Sequence, residues 1–90
     1  MYINKMWFVY VLICKDGSFY TGATNNLEKR FAEHKSGKGG RYTRSHRPVK
    51  VAYKEAFSAK SEALKKESEI KSWSREMKIT NLKLVSNFDL

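Results

Sequence analysis

Ninety residues with 41% hydrophobic and 13% aromatic side chains suffice for one folded domain with a modest core, and exclude wholesale disorder. Eighteen Lys and Arg against nine Asp and Glu leave a formal charge of +9, which favours a polyanionic partner, nucleic acid before membrane. The lone Cys14 excludes a disulfide framework and leaves a zinc site without sulfur partners.

Met1 to Met6 is a short lead-in without a pattern. Strands are expected at about Trp7 to Cys14 and Ser18 to Ala23, around the turn signal Lys15-Asp16-Gly17. The apolar run Trp7–Cys14 is far below the roughly 20 residues that cross a bilayer. A turn and a second strand follow it instead of a small-residue cleavage site, so no membrane partner and a cytoplasmic location are expected.

The turn admits two registers. A two-residue Asp16-Gly17 loop pairs Ile13 with Tyr20 and sends Tyr10 and Tyr20 to opposite faces. A three-residue loop with Gly17 left-handed pairs Cys14 with Ser18 and Tyr10 with Gly22, which puts both tyrosines on one face. The bulged register is favoured because a pair of phenols on one surface is a possible reaction site; it also sets the bare backbone of Gly22 opposite the Tyr10 ring. Ordinary half-buried strand tyrosines are the alternative.

Asn25 as N-cap with Glu28 three residues on predicts a helix from Asn26 to about Ser36, packed through Leu27 and Phe31. Arg30 and His34 form a second i, i+4 pair at the rim of that face. Gly37, Gly39 and Gly40 then predict a mobile loop. From Lys35 to Lys54 the chain carries seven basic residues and no acidic one. Lys38, Arg41, Arg44 and Arg47, with Tyr42 and His46 interleaved, are candidates for nucleic-acid contact: cations for phosphates, rings for bases. A solvated charge run is the alternative.

Val49 to Tyr53 alternates like a third strand. Ser58 is expected to cap a long helix from about Ala59 to Arg75, with Ala63, Leu64, Ile70, Trp73 and Met77 as its apolar stripe. Glu67 falls inside that stripe, where a carboxylate is costly unless paired or bound to a cation. An ion pair with Lys71 or Arg30 competes with a metal-ligand role. The tail from Ile79 to Leu90, including Leu82, Leu84, Val85 and Phe88, shows no clear period.

The expected fold class is α/β (α+β): a small three-stranded antiparallel-type sheet flanked by helices, in the order β-β-α-β-α(-α), spanning residues 1–90 as a single domain with its core at about 8–81.

Val9-Tyr10-Val11 followed by Tyr20-Thr21-Gly22 resembles the paired signature of the GIY-YIG nuclease superfamily. Arg30 and His34 in the next helix, and Glu67 within the last, match its later motifs, and Arg41-Tyr42-Thr43 with Arg47-Pro48 is similar to its small stand-alone bacterial members. Val9 and Val11 replace the glycine and isoleucine of the first signature. Ala23 stands where relatives often carry a lysine. Asn81 is a candidate for a late asparagine seen in several relatives.

The resemblance implies an endonuclease that hydrolyses DNA phosphodiester bonds with one Mg²⁺ or Mn²⁺, in DNA repair or recombination. Branched or single-stranded DNA would be the partner, with RNA not excluded. It implies catalytic roles for Tyr10, Tyr20, Arg30, His34 and Glu67. Glu67 would be the sole protein ligand of the ion, Tyr20 the proton acceptor with Tyr10 beside it, Arg30 a clamp on the phosphate, and His34 a support. A non-catalytic nucleic-acid-binding module, stacking bases on strand aromatics above a basic loop, is the alternative reading.

Overall fold

The structure is a computed structural model and describes residues 6–84. The lead-in before Met6, and Val85 and Phe88 of the tail, lie outside the described residues.

The strands β1 (Trp7–Cys14), β2 (Phe19–Thr24) and β3 (Pro48–Phe57) form one antiparallel sheet in the order β2-β1-β3. β1 is central and its residues Val9 to Cys14 are at most 1% exposed. That matches its near-continuous apolar run, since a strand covered on both faces has no need of polar alternation. β3 is longer than its alternation predicted. Pro48 opens it, the strand position where a missing N–H is tolerated.

The hairpin takes the bulged register. Cys14 donates its N–H to Ser18 at 2.9 Å, Gly17 donates to Cys14 at 2.8 Å, and Gly17 has φ 85°. Tyr10 therefore faces Gly22 and Leu12 faces Tyr20, which places the two tyrosines on one side of the sheet. Asp16 closes the turn by accepting from the N–H and hydroxyl of Ser18, at 3.0 and 2.6 Å.

Four helices complete the fold: α1 (Leu27–Lys35), α2 (Arg41–Ser45), α3 (Lys60–Lys71) and α4 (Arg75–Leu82). Val9 and Val11 meet Ala63, Ile70 and Leu84 in the main core, with Trp7, Phe19, Phe57, Trp73, Ile79 and Leu82 packed around it. On the sheet face that carries Phe8 and Tyr10, Leu27 and Phe31 of α1 line a groove with Phe8, Val51 and Lys54.

Several local expectations are corrected. The cap of α1 is Asn26, one residue later than expected, and its side chain accepts from Lys29 N–H at 3.2 Å. Asn26→Ala should therefore cost about 1 kcal/mol, a fall in Tm of roughly 4–8 °C. Asn25→Ala should stay within about 0.5 kcal/mol, and thermal melts of the two variants separate the assignments. Ser58 does not cap α3, whose N-cap is Ala59 without a side-chain bond. The expected long helix is two, broken at Ser72–Ser74, where Ser74 caps α4 by accepting from Met77 N–H at 3.2 Å. Met77 thus belongs to a different helix and is 46% exposed, while Leu64 lies off the buried face at 43%. Arg75 reaches back from α4 to the hairpin, donating to Gly17 C=O at 2.7 Å and lying over the Phe19 ring.

Candidate active site

β1 and β2 present Tyr10 and Tyr20 side by side, with ring centroids 6.4 Å apart. The third member is not at the rim as expected: His34 is fully buried, its ring 5.9 Å from Tyr10 and 4.9 Å from Tyr20. Position 34 lies in the last turn of α1, from which its ring reaches both tyrosines. Nε2 lies 2.9 Å from Tyr10 Oη, and Nδ1 lies 2.8 Å from Thr43 Oγ1. Thr43 is itself fully buried. A continuous polar chain thus runs phenol, imidazole, hydroxyl.

The expected mobile glycine loop is instead a built corner. Arg44 N–H closes onto Gly40 C=O as α2 begins, and Gly40 takes φ 142°. Gly39 is buried against His34: a Cβ on it would stand 2.4 Å from Nδ1 and 2.8 Å from the His34 Cα. Its carbonyl accepts from Arg30 Nη2 at 2.7 Å, and Arg30 Nη1 pairs with Glu33 at 3.0 Å. Arg47 also ties the corner down, donating to Lys35 C=O at 2.7 Å. Neither Gly39 nor Thr43 could be found by spacing, because His34 and Thr43 meet only through the fold of the loop between them.

Burial sets the protonation states. It pushes the Tyr10 phenol up to about 12, helped by the neighbouring Tyr20 and opposed by Arg30; the Glu67 charge adds a small upward push. Burial, with the Arg30 charge behind it, takes His34 down to about 4, so the imidazole is neutral at pH 7. With the phenol pushed up and the imidazole pushed down, moving the phenol proton onto this ring is uphill, so both partners rest uncharged.

The same shift makes stability depend on pH. His34 titrates near 6.5 when unfolded and near 4 when folded, so only the unfolded chain takes up this proton between those values. Stability should fall as pH drops from 6.5 to 4, by about 3 kcal/mol from this residue. Asp16, held low by its bonds to Ser18, loses its contribution only below its ordinary 3.8. Melts of wild type and His34→Gln across pH 4–7 check this: the variant should lose most of that slope.

Glu67 lies at the edge of the buried stripe, largely but not fully covered. Its side chain is 18% exposed and pairs with Lys71 at 3.0 Å, one of the ion pairs its position suggested, while Arg30 pairs elsewhere. Among the described residues there is no group of three or more His, Cys, Asp or Glu that could hold a metal. The donor set is one hard carboxylate oxygen site, which suits a cation that keeps most of its waters, as Mg²⁺ does.

The expected nucleic-acid residues divide. Lys38, Arg41 and Arg44 are exposed on and before α2. Tyr42 stacks between two rings, 5.9 Å from Tyr20 and 4.0 Å from His46 at an interplanar angle of 8°. A ladder of aromatic faces therefore leads from the half-buried Tyr20 to the basic surface. Asn81 is exposed on α4. Cys14 is buried and its thiol pushed up by that burial, a core residue without reactivity.

Comparison with known proteins agrees with this architecture. A UPF0213 protein of Staphylococcus haemolyticus is 53% identical over 72 residues, 80% of this chain and 88% of that protein. One from Staphylococcus saprophyticus is 51% identical over 79 residues, covering 88% of this chain and 93% of its own. The solution structure of a protein from E. faecalis superposes with a TM-score of 0.62 at 41% identity, over 92% of this chain and 88% of that one. Residues 6–80 match the GIY-YIG catalytic domain, which suggests a nuclease with a nucleic-acid substrate, in a family that generally uses divalent metal ions. No helix among the described residues is long and apolar enough to cross a membrane. With three-quarters or more of its length inside that match, the chain belongs to the GIY-YIG nuclease family.

Proposed function

We propose that this protein is a divalent-metal-dependent DNA endonuclease, and that it acts in DNA repair or recombination. The observation that carries the reading is the convergence of Tyr10, Tyr20, His34 and Arg30 on one side of the sheet. Two phenols beside a neutral imidazole and a guanidinium cation form a site that can move protons next to an anion.

Tyr20 would be the proton acceptor of the pair, as a phenolate whose own proton has gone to bulk water under the pull of the cation and Arg30. Tyr10 is held protonated by burial, so its part is to orient, while Tyr20 is half-buried and reaches towards the surface. Arg30 still has free N–H donors after its bonds to Glu33 and Gly39, and these clamp non-bridging phosphate oxygens. Glu67 would hold the ion, Mg²⁺ or Mn²⁺, once released from its pair with Lys71. The ion supplies charge neutralisation at the phosphate and the leaving oxygen. Lys38, Arg41 and Arg44 hold the strand through its phosphates.

The ring ladder Tyr20–Tyr42–His46 favours a second reading, a binding module that stacks bases without cutting. The two readings part on one hydroxyl. Tyr20→Phe keeps the ring face, so a stacking module should bind DNA as before. A nuclease should lose cleavage by about 100-fold or more, the usual worth of a general base. Nicking of plasmid and branched DNA with Mg²⁺ or Mn²⁺, read beside binding of the same DNA, checks this. Wild type that binds but never cuts leaves only the module.

A further inference from the structure

The buried chain Tyr10–His34–Thr43 poses a proton-counting problem with a definite answer. A phenol, a neutral imidazole and a hydroxyl bring three protons to two hydrogen bonds, so one proton is left over at one end. Suppose Thr43 accepts from Nδ1. Its own hydroxyl proton then sits in a fully buried place, and Oγ1 has no hydrogen-bond partner among the described residues except His34. That leaves a buried donor unmet, which proteins avoid.

Suppose instead that Thr43 donates to Nδ1. The leftover proton then belongs to Tyr10, on the side of the site where Arg30 and Glu67 exert their charges. There it can be met by water or by an oxygen of the substrate. Gly39 guards the same link, because a Cβ on it would stand 2.4 Å from Nδ1 and push against the Thr43 bond.

We propose that Thr43 is a positioning residue: it donates to His34 Nδ1 and so fixes the imidazole as its Nε2–H tautomer, which aims an N–H at Tyr10 Oη and leaves the phenol proton turned towards the bound phosphate. The last clause rests on the nuclease reading above; the hydrogen-bond direction does not. Tyr10 thereby becomes a donor to the substrate side, and not a proton source for His34.

The experiment is ¹⁵N NMR of the His34 ring in the full chain at pH 7, for wild type, Thr43→Val and Thr43→Ser. Wild type should show Nε2 protonated and Nδ1 bare. Thr43→Val keeps the volume but removes the donor, so the single tautomer should give way to a mixture, with the two nitrogen shifts drawn together. Thr43→Ser should restore the wild-type pattern. In cleavage, Thr43→Val should lose about tenfold in kcat with KM within about twofold, and Thr43→Ser should recover it.

Wild type with Nδ1 protonated overturns the proposal, as do ring shifts or a kcat that Thr43→Val leaves unchanged. Should Thr43→Val fail to fold, the wild-type tautomer alone decides. A wild-type protein that cuts no DNA defeats the nuclease reading, while the nitrogen shifts still answer for Thr43.

Discussion

Glu67→Gln is expected to lower metal-dependent nicking by at least about a thousandfold while leaving the fold intact. On the proposed mechanism the size follows from the ion's share: several kcal/mol of charge stabilisation, at tenfold in rate for each 1.36 kcal/mol. Gln keeps the shape but offers a neutral oxygen, a far poorer ligand for a hard dication.

The intact fold follows from the present partner. Glu67 pairs with Lys71 at 3.0 Å, and the lysine side chain is 56% exposed. Such a pair is worth about 0.5 kcal/mol or less, so its loss should hardly move Tm. Glu62 and Glu69 on the same helix are exposed, and their Gln variants should cut at the wild-type rate. Cleavage by pure Glu67→Gln protein at the wild-type rate would remove this carboxylate from the reaction. A large loss of Tm would instead show that the side chain is structural.

How much of this site could be read in the sequence depends on which contacts are local. The hairpin register was legible because two constraints agree: Gly17 supplies the left-handed turn residue, and Gly22 clears space for the Tyr10 ring. Period 2 then fixed the shared face of Tyr10 and Tyr20. The i, i+4 relation of Arg30 and His34 was legible as a pair, but its depth was not. Nothing in α1 says that Thr43 will arrive nine residues later to satisfy Nδ1, and without that partner a rim position is the safer expectation for a histidine.

The basic stretch misled for a related reason. Three glycines read as flexibility, whereas here Gly39 is needed for close approach and Gly40 for a backbone turn into α2. The break between α3 and α4 was masked by an apolar period that happened to run on through Trp73 to Met77. Ser74, an N-cap residue type with Met77 three residues on, was the local signal that the helix restarts.

Gly22→Ala is the second large effect, and unlike Glu67→Gln it should damage stability and activity together. A Cβ on Gly22 would stand 2.5 Å from Tyr10 Oη, 2.6 Å from Cζ and 3.1 Å from Cε1. A flexible surface side chain would swing away, but Tyr10 is 1% exposed, on the central strand, and tied to His34. The conflict must be resolved by moving the ring or by moving β2. Overpacking of this kind costs about 1–3 kcal/mol, and each kcal/mol lowers Tm by roughly 4–8 °C in a domain this small. A ring displaced by about 1 Å also leaves its hydrogen bond to His34 and shifts the phenol proposed to orient Tyr20, for roughly a hundredfold in rate. Combining Gly22→Ala with Tyr10→Phe separates the two costs. Removing Oη relieves the nearest contact but leaves Cζ, so stability should recover only in part and cleavage not at all. If Gly22→Ala instead proves as stable and as active as wild type, the ring does not lie on this glycine. The shared face of the two tyrosines then loses the contact that holds it in register.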